Sequence, residues 1–158
     1  MKKDIKEGTI EAQEILFCVV NILPPLLIGA SVYIWISQDS YFGNWICSIF
    51  PITKFTATGA IWKVLRNWGC DYLWAYALFF TLYIPLKNTP NPIRRATLIA
   101  AVTAIANESL QLIQIDFLKC GTFDVLDIVV EILAVMIGSI IIYCYKQHRL
   151  KEREETVL

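Results

Sequence analysis

The sequence contains few of the residues that build metal sites and hydrolytic active sites. It has one histidine, His148, and five cysteines at positions 18, 47, 70, 120 and 144, with no Cys-x-x-Cys pair. His148 does not stand at metal-ligand spacing from any of them, so we expect no metal site and no cofactor. Lys plus Arg and Asp plus Glu both number 14, so the net charge is zero and gives no argument for nucleic acid as a partner.

Charged residues are also scarce, at 18% of the chain, whereas 56% of residues are hydrophobic. The mean hydropathy of +0.53 is too high for an ordinary soluble domain of this size. A helix needs about 20 apolar residues to cross a bilayer. Four runs approach that length: Ile15–Ile36, Asp71–Leu86, Ala96–Ile115 and Phe123–Tyr145. We therefore predict an all-α polytopic membrane protein, a bundle of four transmembrane helices, with one domain over 1–145 and a charged cytoplasmic tail over 146–158.

The basic residues lie in three segments that the positive-inside rule assigns to the cytoplasm. These segments are the N-terminus, the short loop after the second run, and the tail. Their basic residues are Lys2, Lys3 and Lys6, then Lys87, Arg94 and Arg95, then Lys146, Arg149, Lys151 and Arg153. The pattern predicts a multi-pass protein with both termini in the cytoplasm.

The connection over residues 37–70 is too aromatic for a simple solvated loop. Tryptophan at this density is typical of the membrane interface. Residues 58–68 fit an amphipathic helix that lies on the outer surface and runs into the second span, because Ile61, Leu65 and Trp68 share one face. A re-entrant segment is the alternative.

Acidic and amide side chains occur inside the predicted spans, where a central charge costs about 2.5–3.5 kcal/mol. Glu108 and Gln111 share a face of the third span, and three acids at spacings of three and four form one stripe on the fourth. Asp71 opens the second span from the same side. The small residues Ala134 and Gly138 continue the stripe inward and favour close helix packing. We predict a ligand-binding acidic pocket in the outer leaflet, formed by Asp71, Glu108, Gln111, Asp124, Asp127 and Glu131.

Each acid also has a plainer interpretation. Asp71, Asp116 and Asp124 stand where a carboxylate commonly caps a helix or lies in a turn, and Asp124 fits a cap for the helix that holds Asp127. Glu108 and Glu131 lie deeper, where the plainer interpretation is a buried, hydrogen-bonded structural residue. A disulfide between Cys70 and Cys120 on the oxidising outer side stays open as well.

These motifs resemble those of the VanZ-like family of small bacterial membrane proteins. The resemblance covers residues 15–145 and rests on Asn107-Glu108-x-x-Gln111 and then Gly121-Thr122-Phe123-Asp124-x-x-Asp127-x-x-x-Glu131-x-x-Ala134-x-x-x-Gly138. Glu131 stands where the family usually has Asn, and no basic residue stands where the family often has Lys and His after the Asp that matches Asp71, which indicates a divergent member. The resemblance implies a bacterial plasma membrane protein connected with low-level resistance to the glycopeptide teicoplanin, in a family without an established biochemical activity.

Three functions remain open from the sequence. In the first, the acidic pocket binds a polar or cationic group of a cell-wall precursor lipid or a glycopeptide antibiotic, with membrane lipids as the surrounding partners. In the second, the chain is an intramembrane enzyme that acts on a lipid-linked substrate, with Glu108 and Asp127 as the catalytic acid and base. In the third, it is a small proton-coupled transporter. The oligomeric state does not follow from the sequence.

Overall fold

The computed structural model describes residues 2–35, 45–46, 48–50, 59–112 and 124–157, and within these ranges every regular element is helical. A π-helical turn spans Leu65–Gly69. The α-helices are α1 (Lys2–Trp35), α2 (Ala60–Val64), α3 (Cys70–Leu86), α4 (Pro92–Leu112) and α5 (Val125–Val157). The all-α class predicted from the hydrophobic runs is confirmed.

The helices follow the predicted runs, with extensions at their ends. α3 begins one residue before Asp71 and ends at Leu86 as predicted, and α4 begins at Pro92, ahead of the predicted Ala96. Residues 113–115, the predicted end of the third run, lie outside the described residues. The domain boundary predicted after Tyr145 falls inside α5, which continues as one helix to Val157.

Two of these helices are long and apolar enough to cross a membrane. The apolar stretches are Glu11–Val32 in α1, with 22 residues, and Val125–Glu152 in α5, with 28 residues. This supports membrane association of the chain. Large apolar side chains point outward along both stretches, among them Leu16, Leu27 and Ile140, each more than half exposed.

Helix α3 is the centre of the bundle, because α1, α4 and α5 all pack against it. α1 runs antiparallel to α3: Glu14 meets Tyr83 near one end, and Gly29 meets Cys70 near the other. α5 runs parallel to α3. We call the end at which α3 and α5 begin the recess end, and the opposite end, with the α3–α4 connection, the loop end.

Small residues let these helices approach closely. Ala96, Ala100 and Ala104 are fully buried at intervals of four residues along α4, so they form one stripe on its inner face. On α5, Ala134 is fully buried, and a Cβ atom built on Gly138 would lie 2.8 Å from Cδ1 of Phe79. The close packing predicted for this part of the stripe is therefore confirmed.

The α3–α4 connection turns sharply at Asn91, which adopts a positive φ of 53°. Asparagine tolerates this left-handed conformation better than most residues. Pro92 follows as the first residue of α4, where its missing N–H is not needed for the helix.

The predicted helix over residues 58–68 corresponds to α2 and the π-helical turn, which run directly into α3. Ile61 in α2 is 81% exposed, whereas Leu65 and Trp68 on the same predicted face are partly buried.

Candidate functional site

The recess end brings acidic side chains from three helices together. Asp71 lies in the first turn of α3, Glu108 in the last two turns of α4, and Asp127 and Glu131 in the first two turns of α5. Three different helices supply them because α3 and α5 begin at this end and α4 finishes there. We call these four residues the acidic recess.

Glu131 is the most deeply buried member of the acidic recess. Its exposed fraction is 0%, and neither carboxylate oxygen has a hydrogen-bond partner among the described residues. Its charge–charge neighbours are Glu108, Asp71 and Asp127, all of them acids. An ionised carboxylate buried in this way is unfavourable, so the group is stable either as the neutral acid or in contact with a cationic or hydrogen-bond-donating ligand.

Glu108 and Asp71 complete the buried part of the recess. Glu108 is only 2% exposed, so its side chain turns toward the inside of the bundle and away from the surrounding medium. Asp71 is partly buried and interacts electrostatically with both Asp127 and Glu108. The convergence of α3, α4 and α5 predicted from the spacing of these acids is therefore present in the structure.

Asp127 and Asp124 differ in their surroundings. Asp127 is partly buried and close enough to Asp71 and Glu131 for a charge–charge interaction with each. Asp124 is exposed, and its Oδ1 accepts a hydrogen bond of 2.9 Å from the backbone N–H of Leu126. Asp124 therefore acts as the N-terminal cap of α5, the plainer of its two sequence interpretations.

The amide residues of the predicted site lie partly outside the described structure. Gln111 lies in the last turn of α4, and its side chain is outside the described part of the structure. Asn107, next to Glu108, is exposed. Gln114, Asp116, Lys119, Cys120 and the turn at Gly121 to Phe123 also fall outside the described residues.

Among the described residues, no group of three or more His, Cys, Asp or Glu side chains comes close enough to hold a metal ion. The described part of the site consists of the carboxyl groups of Asp71, Glu108, Asp127 and Glu131, of which Glu131 is the most deeply buried.

A second polar group lies at the loop end and was missed by the sequence reasoning. The hydroxyl of Tyr83 donates to Oε1 of Glu14 at 2.5 Å, and Nζ of Lys146 donates to the Tyr83 hydroxyl at 3.2 Å. Lys87 forms an ion pair with Glu11 nearby. Glu14 and Lys146 each stand next to a predicted apolar run, and that position could have identified them as candidates. Local spacing, however, does not indicate that two residues 132 positions apart lie close together.

Between the two ends, one more polar pair joins α1 to α3. The Tyr76 hydroxyl donates to Oδ1 of Asn21 at 2.5 Å, and Nδ2 of Asn21 donates to the carbonyl of Phe17 at 2.8 Å. Asn21 therefore has partners for both ends of its amide.

The described cysteines and the histidine are not members of the acidic recess, although Cys70 directly precedes Asp71. Cys70 is a free, buried thiol whose Sγ lies 3.8 Å from the carbonyl oxygen of Gly29, and Cys120, its possible disulfide partner, lies outside the described residues. Cys18 is buried, whereas Cys144 is exposed. The side chain of His148 is 73% exposed.

Comparison with known proteins finds no matching family model, no matching curated protein and no matching solved structure.

Proposed function

We propose that this chain is a four-span envelope membrane protein whose acidic recess binds a polar or cationic group of a cell-wall precursor lipid or a glycopeptide antibiotic, and that it thereby contributes to teicoplanin resistance. The observation that carries the proposal is Glu131. It is completely buried, it has acids as its charged neighbours, and its oxygens have no donor among the described residues. An ammonium or amide group in the recess would supply the missing donor.

The exposed apolar surface supports insertion in a bilayer. Only 11% of the apolar stretch of α1 and 28% of that of α5 is buried inside the fold, whereas a core helix of a soluble protein is mostly buried. On α4, Leu98, Val102 and Ile105 also point outward. Lipid covers such surfaces without the free-energy cost of exposing apolar side chains to water.

The lengths of the other two helices support four spans. α4 has 21 residues, or about 31 Å at 1.5 Å per residue. α3 has 17 residues, near the lower limit for a span, and α2 with the π-helical turn lengthens it at the recess end. In this arrangement Trp62 and its neighbours lie at the outer interface.

The distribution of basic residues supports the orientation. Lys87 contacts Glu11, Lys146 contacts Glu14, and Arg149 contacts Gln13, so the basic segments after α3 and in α5 meet the first part of α1 at the loop end. With the loop end in the cytoplasm, the acidic recess faces the outer leaflet. The proposed membrane is the bacterial plasma membrane, as the VanZ-like resemblance implies.

Binding to the recess can be tested with the full chain in lipid nanodiscs. The probes are teicoplanin and a lipid-linked cell-wall precursor, and the variants are Glu131→Gln, Glu108→Gln and Asp127→Asn. We expect Glu131→Gln and Glu108→Gln, the substitutions of the two buried acids, to weaken binding by about tenfold or more, because a hydrogen bond to a charged group contributes about 1.5–3 kcal/mol. Glu155→Gln, an exposed neutralisation at the far end of α5, is the matched control and should bind as the wild type does.

A cellular measurement completes the test. Teicoplanin susceptibility and precursor-lipid levels are compared in cells that express equal amounts of each variant. Wild-type behaviour of Glu131→Gln and Glu108→Gln in both assays, at normal expression, would refute the recess as a functional site. Turnover of the precursor that Glu108→Gln and Asp127→Asn both abolish would instead support the enzyme interpretation, and proton flux would support the transporter.

A further inference from the structure

A groove lies between α1 and α5 near the loop end, far from the acidic recess. Both helices rest on α3 here, and they contact each other where the rings of Phe17 and Tyr145 stack at 4.0 Å. The groove has a volume of about 460 Å³, within the range of small-molecule sites. Its walls are Leu16, Phe17, Val20 and Tyr145 on the apolar side and Gln13, His148, Arg149 and Glu152 on the polar side.

The apolar and polar walls are separated along the length of the groove. On α1, Gln13 is nearest the loop end, and Val20 lies seven residues, or about 10 Å, deeper. On α5, Glu152 is at the polar end and Tyr145 is the same distance deeper. Leu16 and Val20 are 62% and 58% exposed, so the deep part of the groove offers an uncovered apolar surface. A ligand with a polar head and one apolar chain matches this groove, because its head would lie at the polar end and its chain along the apolar part.

The polar end carries both signs of charge. Nη1 of Arg149 donates to Oε2 of Glu152 at 3.1 Å, and Nη2 donates to Oε1 of Gln13. A guanidinium group has five N–H donors, so Arg149 retains donors that no described residue engages. His148 lies 3.5 Å from Glu152 and is largely exposed. This rim can bind an anionic group at Arg149 and a cationic group at Glu152 at the same time.

We propose that this groove binds a glycerophospholipid with an aminoalkyl phosphate headgroup. The phosphate contacts Arg149, the ammonium contacts Glu152, and one acyl chain lies over Leu16, Phe17 and Val20. Arginine suits the first contact because its planar fork binds two phosphate oxygens. The inference rests on the proposed membrane crossing of α1 and α5 and does not depend on a ligand in the acidic recess.

Native mass spectrometry of the full, delipidated chain in detergent tests the headgroup contacts. The probes are phosphatidylethanolamine and phosphatidylglycerol with identical acyl chains. We expect phosphatidylethanolamine to bind more tightly, and Arg149→Gln to weaken it by about tenfold or more. Lys151→Gln removes the same charge from an exposed position two residues away that does not line the groove, and should bind as the wild type does. Glu152→Gln should reduce the preference for phosphatidylethanolamine over phosphatidylglycerol.

Two further pairs of variants separate packing from binding. Val20→Trp fills the deep part of the groove and should displace the lipid, whereas Leu27→Trp, at an equally exposed position of α1 beyond the groove, should not. Gln13→Ala removes the Arg149–Gln13 bond and keeps the guanidinium, so it should retain the lipid if Arg149 acts on the phosphate. Circular dichroism confirms that each variant is folded.

Several outcomes would overturn the proposal. Equal losses for Arg149→Gln and Lys151→Gln would indicate general attraction to a basic tail. Equal binding of both lipids, with no effect of Glu152→Gln, would show that the ammonium group does not contact Glu152. Normal binding by Val20→Trp would show that the acyl chain does not lie in the groove. A dimer in place of a lipid adduct would assign the groove to a second copy. Glu131→Gln should leave lipid binding unchanged, so a failure of the acidic recess is distinguishable from a failure here.

Discussion

The hydroxyl of Tyr83 donates a 2.5 Å hydrogen bond to Glu14, and this bond joins α3 to α1 at the loop end. Tyr83 is completely buried, and Lys146 of α5 donates to the same hydroxyl. One tyrosine therefore connects three helices through a network in which each charged group has a partner. The acidic recess at the opposite end differs, because Glu131 is buried among acids without a described donor.

Tyr83→Phe should destabilise the chain by about 1 kcal/mol. The substitution removes the donor to Glu14 and the acceptor for Lys146, and leaves these two groups 3.7 Å apart with their charge interaction only. Thermal unfolding in detergent measures the change. Tyr143→Phe, at an exposed position of α5, should stay within about 0.5 kcal/mol of the wild type. Equal effects of the two substitutions would show that the network does not stabilise the bundle.

Glu131→Met should stabilise the ligand-free chain by about 1–3 kcal/mol. The substitution replaces a buried carboxyl group that lacks a described donor with an apolar side chain of similar length, and so removes its desolvation penalty. Unfolding in a denaturing detergent measures the change, with Leu133→Met at a half-exposed position as the control. A loss of stability would show that the Glu131 carboxyl group makes a structural hydrogen bond.

Gly138→Ala should destabilise the bundle by about 1–3 kcal/mol. The added Cβ atom would lie 2.8 Å from Cδ1 of Phe79, and the buried ring has little room to move. Gly29→Ala is the matched control, because its nearest neighbour would be Cβ of Leu73 at an ordinary 3.9 Å. Combining Gly138→Ala with Phe79→Leu should restore part of the loss. If the two glycine variants unfold alike, α3 and α5 are not in close contact at Gly138.

Asn21 and Tyr76 should show a favourable coupling energy of about 0.6 kcal/mol, the average for a hydrogen bond between membrane helices. A double-mutant cycle with Asn21→Ala and Tyr76→Phe measures it from the unfolding free energies. The pair Asn21 and Tyr72 provides the comparison, since no hydrogen bond between those two side chains is described. Additive effects for Asn21 and Tyr76 would mean that the 2.5 Å contact contributes nothing to stability.

The proposed orientation predicts opposite labelling of the two ends. In a cysteine-free background, Lys151→Cys should react with a membrane-impermeant maleimide only after cells are permeabilised, whereas Asp124→Cys should react in intact cells. Both positions are exposed, so burial does not limit either reaction. Labelling of both in intact cells would place the two positions on the same side of the membrane, and would contradict the single span, α5, that the proposed topology puts between them.

Much of the architecture could be predicted because helix formation in an apolar chain depends mainly on local pattern. The limits of α3 followed from its apolar run, since Lys87 and the Pro90–Pro92 region interrupt the pattern after Leu86. The shared face of Asp127 and Glu131 followed from a spacing of four residues. The small residues Ala134 and Gly138 likewise predicted where α5 approaches a neighbour.

The all-α class, the helix faces and the position of the acids along each helix can be predicted from the order of residues, because these features depend on residues within one or two turns of each other. Which faces meet depends on how the helices pack. This packing placed Glu131 in full burial beside Glu108 and Asp71, left Asp124 exposed as a cap, and paired Glu14 with Tyr83 across 69 positions. These placements depend on the packing of α3 against three other helices, because side-chain size at the contacts, rather than local periodicity, sets how those helices fit together.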